Sequence, residues 1–372
     1  VSIDCRPPRS QHARGGDARA TIFFEDQQAF TREIMSAHKP GPRILHVHNG
    51  DVVRDKLARS GVPGDHAVYA DALHDGPLFP IDTPAERRRA VRAALFAEAG
   101  WASERDILDM LARWDRELER WAEYDEVVLW FEHDLFDQLL LVRHLAYFAE
   151  QPLGTTTLSL ICIGAYPGMP AFKGLGQLSP DQLAPLFGTR EPITERQLEL
   201  GRRTWHALAA EHPAAVEALM VEEDLTPLPF LRPALRRFLE ELPDRESGLG
   251  RIERAVLEGV RDGITDPVRL FRAVHDADDV FFIGDTSLWH CIRMMAAGPH
   301  PLLAIAPRSG DGPAPFGALA LTDAGRDVLG GTADRVRLAG IDRWWGGVHL
   351  HGREVPWRWD RRGQRVVRIP DR

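Results

Sequence analysis

The sequence predicts an α/β protein: a Rossmann-like parallel sheet with flanking helices, then a helical segment, a winged-helix-like domain and a small C-terminal β-meander. Three observations carry this. Short apolar runs, "RILHVH" (43–48), "DHAVYAD" (65–71), "EVVLWF" (126–131) and "TTTLSLICIG" (155–164), alternate with stretches whose apolar residues recur at helical spacing. Such alternation places parallel strands in one sheet with helices on its faces. Farther on, helical stretches precede two short strands, the order of a helix-turn-helix variant with a wing. The last residues alternate apolar and polar between glycine turns, as a meander does.

Taken in order, residues 1–40 are expected to form a disordered extension, because "SIDCRPPRSQHARGGDARA" offers proline, glycine and arginine without an apolar period. Met35, just before the first ordered signal, or a non-standard start at Val1 is the expected beginning of the natural chain. The strand at 43–48 ends in "NGD", and the helical "VVRDKLARSG" follows, closed by Gly61. The strand at 65–71 ends in the turn-rich "ALHDGP". Between Pro84 and Tyr124, Val91, Leu95 and Phe96, then Ile107, Leu111, Trp114 and Leu118 mark two amphipathic helices broken near Gly100. "DLFDQLLLVRHLAYFAE" is a strongly apolar helix between the third and fourth strands. After the Gly/Pro-rich loop from Gly164 to Gly176, Ser179 with Pro180 and Gln182, and Thr194 with Gln197, announce helix starts. Two further helices, at 214–223 and 229–242, complete an α/β domain with its helical segment over residues 41–245. Polar "PDRESGLG" (243–250) is the expected boundary. The winged-helix-like domain then spans 251–340, and an Arg/Trp-rich β tail spans 341–372.

Composition narrows the function classes. The chain has 372 residues, 44 % apolar and 27 % charged, the profile of a soluble globular protein of two or three domains. A net charge of −9 argues against a surface devoted to phosphate backbones. Cys5, Cys162 and Cys291 lie far apart and form no CxxC pair, so neither a disulfide framework nor a cysteine zinc site is indicated, and a reducing cytoplasm fits best. No apolar run approaches the roughly 18 residues that span a bilayer, so no membrane partner is expected.

The chemistry is concentrated where the strands end. In an open parallel sheet, ligands sit outside the carboxyl ends of the strands. The first strand ends in His46, His48, Asn49, Gly50 and Asp51, the second in Asp71, His74, Asp75 and Gly76, and the third in Glu132, His133, Asp134, Asp137 and Gln138. Glu132, His133 and Asp134, with His74 and Asp75 opposite, are the expected acid–base groups. His48, Asn49, Gly50, Asp51, Asp137 and Gln138 are the expected ligand-binding groups, with glycine and a helix N-terminus suited to an anionic ligand. A divalent metal is an open cofactor question, since the histidine and carboxylate spacing matches no standard ligand motif. The plainer reading makes Asp51 and Asp134 helix N-caps and His46 and His48 satisfied core histidines. No GxSxG elbow or Walker lysine motif occurs, and Cys162 lies in an apolar strand.

The leading expectation is therefore a protein that binds or transforms a small anionic ligand, a nucleotide or phosphorylated metabolite, by hydrolysis or group transfer. The alternative is a ligand-sensing regulator acting through its winged helix and tail on nucleic acid or a protein. The tail offers Arg358, Arg361, Arg362, Arg365 and Arg368 among Trp344, Trp345, Trp357 and Trp359, a pattern able to stack bases. Against nucleic acid, the third helix of that domain, "GDTSLWHCIRMMAAG", holds Arg293 amid apolar residues and is built to pack against protein.

"HVHNGD", "ALHDGP", "VVLWFEHDLFDQ", "GIDRWWGGVHL" and "WRWD" together resemble the DUF1835 family of bacterial proteins. The resemblance runs over His46 to Ala149, is shared by the tail, and so covers most of the chain after Met35. It implies a cytoplasmic bacterial protein with a Rossmann-like α/β domain, and carries no activity, cofactor or partner with it.

Overall fold

The four apolar runs of the first half form strands β1 (Ile44–His48), β2 (Asp65–Val68), β4 (Glu126–Glu132) and β5 (Thr157–Ile163), with the short β3 (Gly76–Pro77) between β2 and β4 in sequence. In this computed structural model, residues 41–278, 280, 282–308 and 314–369 are described. The extension expected over residues 1–40 lies outside them. β1 pairs in parallel with β2 and with β4, and β4 in parallel with β5. β6 (Glu191–Pro192) closes the edge in antiparallel sense, giving a five-stranded, mostly parallel sheet in the order β2-β1-β4-β5-β6.

A strand covered on both faces has no polar side, which is why β4 reads as an unbroken apolar run. Val127, Leu129 and Phe131 enter the larger core, while Val128 and Trp130 enter a second core beneath α1 (Asp51–Ala58). The larger core is closed by the amphipathic α2 (Ala85–Glu98) and α3 (Glu104–Glu119) and by α4 (Leu135–Ala149). α4 is apolar around most of its circumference and is correspondingly buried along most of its length. α5 (Pro180–Leu183) and α6 (Glu195–Leu208) both begin in capping boxes, Ser179 with Gln182 and Thr194 with Gln197. α7 (Ala214–Glu222) and α8 (Leu231–Leu239) follow.

Residues 243–250 are not a solvated spacer. Asp244, Ser247 and Leu249 are buried, because Asp244 accepts hydrogen bonds from the Glu246 and Ser247 amides at 2.8 Å each and pairs with Arg254 at 2.7 Å. A polar stretch that satisfies its own donors can be packed inside. Arg43 to Arg372 accordingly belongs to one compact unit. Beyond it come α9 (Arg251–Arg261), α10 (Pro267–Asp276), α11 (Asp285–Ala296), the antiparallel pair β7 (Leu303–Ile305) and β8 (Leu319–Leu321), α12 (Asp323–Leu329) and α13 (Arg335–Ala339).

The tail differs from the single meander expected. β9 (Ile341–Gly346) and β10 (Val348–Gly352) form one hairpin, β11 (Trp357–Asp360) and β12 (Arg365–Arg368) another. The free edge of β9 is taken by β3, in parallel, and β11 is drawn away by bonds between the Trp359 backbone and Pro243 and Arg245. Trp345 is buried against Phe238 and donates its indole N–H to the Phe238 carbonyl at 2.8 Å. Among the described residues, no helix is long and apolar enough to cross a membrane.

Candidate cation and ligand site at the strand ends

β1 is flanked by β2 on one side and β4 on the other, so the chain winds in opposite directions from the crevice between β1 and β4. Open sheets bind ligands at such a crevice. The polar residues after β1 and β4 meet there. Asp134 caps α4, accepting a hydrogen bond from the Asp137 amide at 2.8 Å. Asp137, in the first turn, folds back to accept from the Glu132 amide at 3.0 Å and from Asn49 Nδ2 at 2.8 Å, tying the two strand ends together. Gln138 donates to the Glu132 carbonyl at 2.6 Å and fixes where the strand stops.

Glu132 points into the loop that follows β5. Its Oε1 accepts from the Leu175 amide at 2.5 Å, and the backbone comes so close that a Cβ on Gly174 would lie 2.0 Å from Oε2. The carboxyl oxygens of Glu132, Asp134 and Asp137 thus lie within 4.8 Å of one another. Glu132 and Asp137 are buried and Asp134 is partly so. Burial raises the proton affinity of all three; the charge on Asp134 adds to it at Glu132, and the charges on Glu132 and Asp134 add to it at Asp137. Three converging carboxyl groups have two ways to be comfortable at neutral pH: keep protons, or share a cation. An all-oxygen donor set suits the hard cations Mg2+, Mn2+ and Ca2+.

The remaining expected residues lie elsewhere. His48 is fully buried, its Nε2 at 3.0 Å from His66 Nδ1, and burial, then His66, holds its pKa well below the ordinary value. His46 sits between the Trp130 indole N–H and the Pro63 carbonyl, at 3.0 Å each, and burial brings its pKa down to about 4. Both are neutral core histidines. Gly50, not Asp51, occupies the N-cap of α1, and no side chain caps that helix. Asp51 is therefore corrected from a cap to an exposed first-turn residue paired with Arg54, aiding the helix only through its dipole. His133 is half-buried with its ring 6.2 Å from Phe172 and 6.1 Å from Phe230.

His74 and Asp75 join a second polar cluster. The buried His74 ring packs edge-on to Phe136 and Phe282, with Nε2 at 3.5 Å from Asp75 Oδ2, and Asp75 also accepts from Ser287 Oγ at 2.9 Å. Burial pushes the Asp75 carboxyl up, but His74, Arg343 and the Ser287 hydroxyl together outweigh it and hold it well below the usual carboxylate range. The strand-end cluster therefore gathers Asn49, Glu132, Asp134 and Asp137, with Gln138 behind, and leaves His48, Asp51, His74 and Asp75 outside.

Two partners escape a reading of the sequence. The Leu175 amide closes over Glu132; the "GLG" within the Gly/Pro-rich loop was its one signal. Arg92 locks the "ALHDGP" turn, with Nε and Nη2 on Asp71 Oδ1 at 2.9 and 2.6 Å and Nη1 on the Asp75 carbonyl at 3.0 Å. Nothing in its helical neighbours marks it. Compared with family models and with curated proteins, the chain matches none.

Proposed function

We propose that the protein binds a divalent cation at Glu132, Asp134 and Asp137 and, through it, a small anionic ligand of the nucleotide or phosphorylated-metabolite class, supporting hydrolysis or group transfer. The observation that carries this is the approach of one oxygen from each of three carboxyl groups to within 4.8 Å, in a setting largely shielded from water. An anion brought there alone meets like charge. A cation removes that repulsion, and its free coordination positions take ligand oxygens and activate a water. The strand order around β1 supports a Rossmann-like reading, in which this crevice is the ligand position. Of the stretches that carry the resemblance to the DUF1835 family, "HVHNGD" and "VVLWFEHDLFDQ" contribute Asn49, Glu132, Asp134, Asp137 and Gln138 to this site.

The test is calorimetric titration of Mg2+ and Mn2+ into protein freed of metal with EDTA, followed by a thermal-shift screen of nucleotides and sugar phosphates with the better cation. Saturable uptake, lost in Asp137→Asn, is expected, and a ligand at a hundred times its Kd adds about 2.7 kcal/mol of stability. Heat traces that are flat for both cations would sink the reading.

The order α9, α10, α11, then β7 and β8, supports a winged-helix reading of that region. Its use on nucleic acid is less well supported. α11 buries Leu288, Trp289 and Ile292 and spends Ser287 on Asp75. Trp359, in the tail, is buried, and Arg254, Arg251 and Arg362 around it pair with Asp244, Glu240 and Glu246. A salt-sensitive duplex shift abolished by neutralising Arg361, Arg362 and Arg365 would reverse that ranking.

A further inference from the structure

The hairpin of β9 and β10 carries a second set of metal-ligating side chains, of a different chemistry from the strand-end carboxyl groups. β10 reads "VHLHG", an alternation of apolar and imidazole side chains. Val348 and Leu350 are buried, so His349 and His351 share the opposite, exposed face. The antiparallel register sets Trp344 of β9 across from His349, and Asp342 across from His351. One outward face therefore presents two imidazoles, a carboxylate and an indole. β10 is the edge strand of its sheet.

A single carboxylate serves both rings. His349 Nε2 lies 2.7 Å from Asp342 Oδ1, and His351 Nε2 lies 3.9 Å from Asp342 Oδ2. The His349 ring lies flat on Trp344, with centres 4.4 Å apart and planes within 4°, which fixes its orientation. The His351 side chain is 68 % exposed and has room to turn toward it. Two imidazoles bound to one tetrahedral ion through bonds of about 2 Å have ring centres about 5 Å apart. Those of His349 and His351 are 5.5 Å apart. Exposed ion pairs contribute little stability, so giving up the His349–Asp342 contact to a cation costs little.

We propose that His349, His351 and Asp342 form a binding site for a borderline divalent cation of the Zn2+ and Ni2+ class. Imidazole donors favour such ions, whereas Mg2+ and Ca2+ favour oxygen. The hairpin and the strand ends thus sort cations by donor type, and the hairpin site does not depend on the other. Three protein donors on Zn2+ leave a fourth position open to water or to a ligand group.

The test uses the untagged full chain, since a histidine tag takes up the same ions. Zn2+ is titrated calorimetrically in excess Mg2+, into the parent and into single variants. A saturable uptake is expected, weakened about tenfold or more in His349→Gln and in His351→Gln. It should stay within about twofold of the parent in Asp137→Asn and in His206→Gln, the latter an exposed histidine on α6. Ni2+ seated beside the Trp344 ring should quench part of the tryptophan emission, and Trp344→Phe should remove that quench. Should His349→Gln disturb the stack on Trp344, His351→Gln decides, because its ring is exposed. Equal Zn2+ uptake in His351→Gln and the parent would reduce the three residues to a surface ion pair and overturn the proposal. Uptake lost in Asp137→Asn but kept in His351→Gln would overturn it too, by assigning the ion to the strand ends.

Discussion

Helix α4 starts among three converging carboxyl groups and, farther along, carries an arginine that shares one carboxylate, Asp115, with two other guanidinium groups. The two regions solve the same problem with opposite sign. At the start of the helix, the crowding groups can take up protons, and burial has already raised their affinity for them. An arginine has no such escape, since it does not lose its proton in proteins. The acidic cluster can therefore stand empty at the cost of a titration, whereas the basic one must find counter-charge in the fold.

The comparison is sharpest where charge is removed. Arg92→Ala strands Asp71, a buried charge without a partner, and should cost about 3–5 kcal/mol in urea unfolding. At the acidic cluster, Gly174→Ala should also destabilise, by about 2–3 kcal/mol, because the new methyl meets the Glu132 carboxylate. Removing a charge there should do the reverse. Asp137→Asn keeps the Asn49 side of the network in reach and relieves repulsion, so in EDTA at neutral pH it should raise stability by about 1 kcal/mol or more.

The pH response follows the same division. Glu132, Asp134 and Asp137 have folded proton affinities above their unfolded ones, so their stabilising protons are present below about pH 4 and are lost as pH rises toward and beyond neutrality. Metal-free protein should lose stability over that window, and saturating Mn2+ should flatten the loss. Asp75 is depressed instead, so its contribution is present above about pH 4 and disappears as pH falls below it. Ser287→Ala, which removes one donor to Asp75, should be the mildest change, about 1 kcal/mol near neutral pH and less in acid. Urea titrations across pH would check both slopes in one series.

How much of this was legible depended on distance along the chain. Glu132, Asp134 and Asp137 fall within one strand–helix junction, so periodicity alone placed them together, and parallel pairing of β1 with β4 brought in Asn49. Asp71 and Arg92, or Asp75 and Ser287, are joined only by tertiary packing, and one side of each pair sits in a helix with no local reason to be singled out. Asp51 was misjudged by a single residue, because the extended chain leaving β1 runs on to Gly50 before the helix begins. The stretch 243–250 misled for a different reason: its polarity is directed inward, at its own amides and at Arg254.

The parallel contact of Gly76–Pro77 with Trp345 and Gly346 has a consequence in time. A ribosome releases the "ALHDGP" turn well before the strand that lines up with it, β9, has been made. Until then the turn has Arg92 to hold it from within and nothing along its outer edge. The five-stranded sheet can form during synthesis, yet this corner beside it is finished only once β9 has been made, and a protein cut short before Ile341 would leave that edge open to pairing with a neighbour.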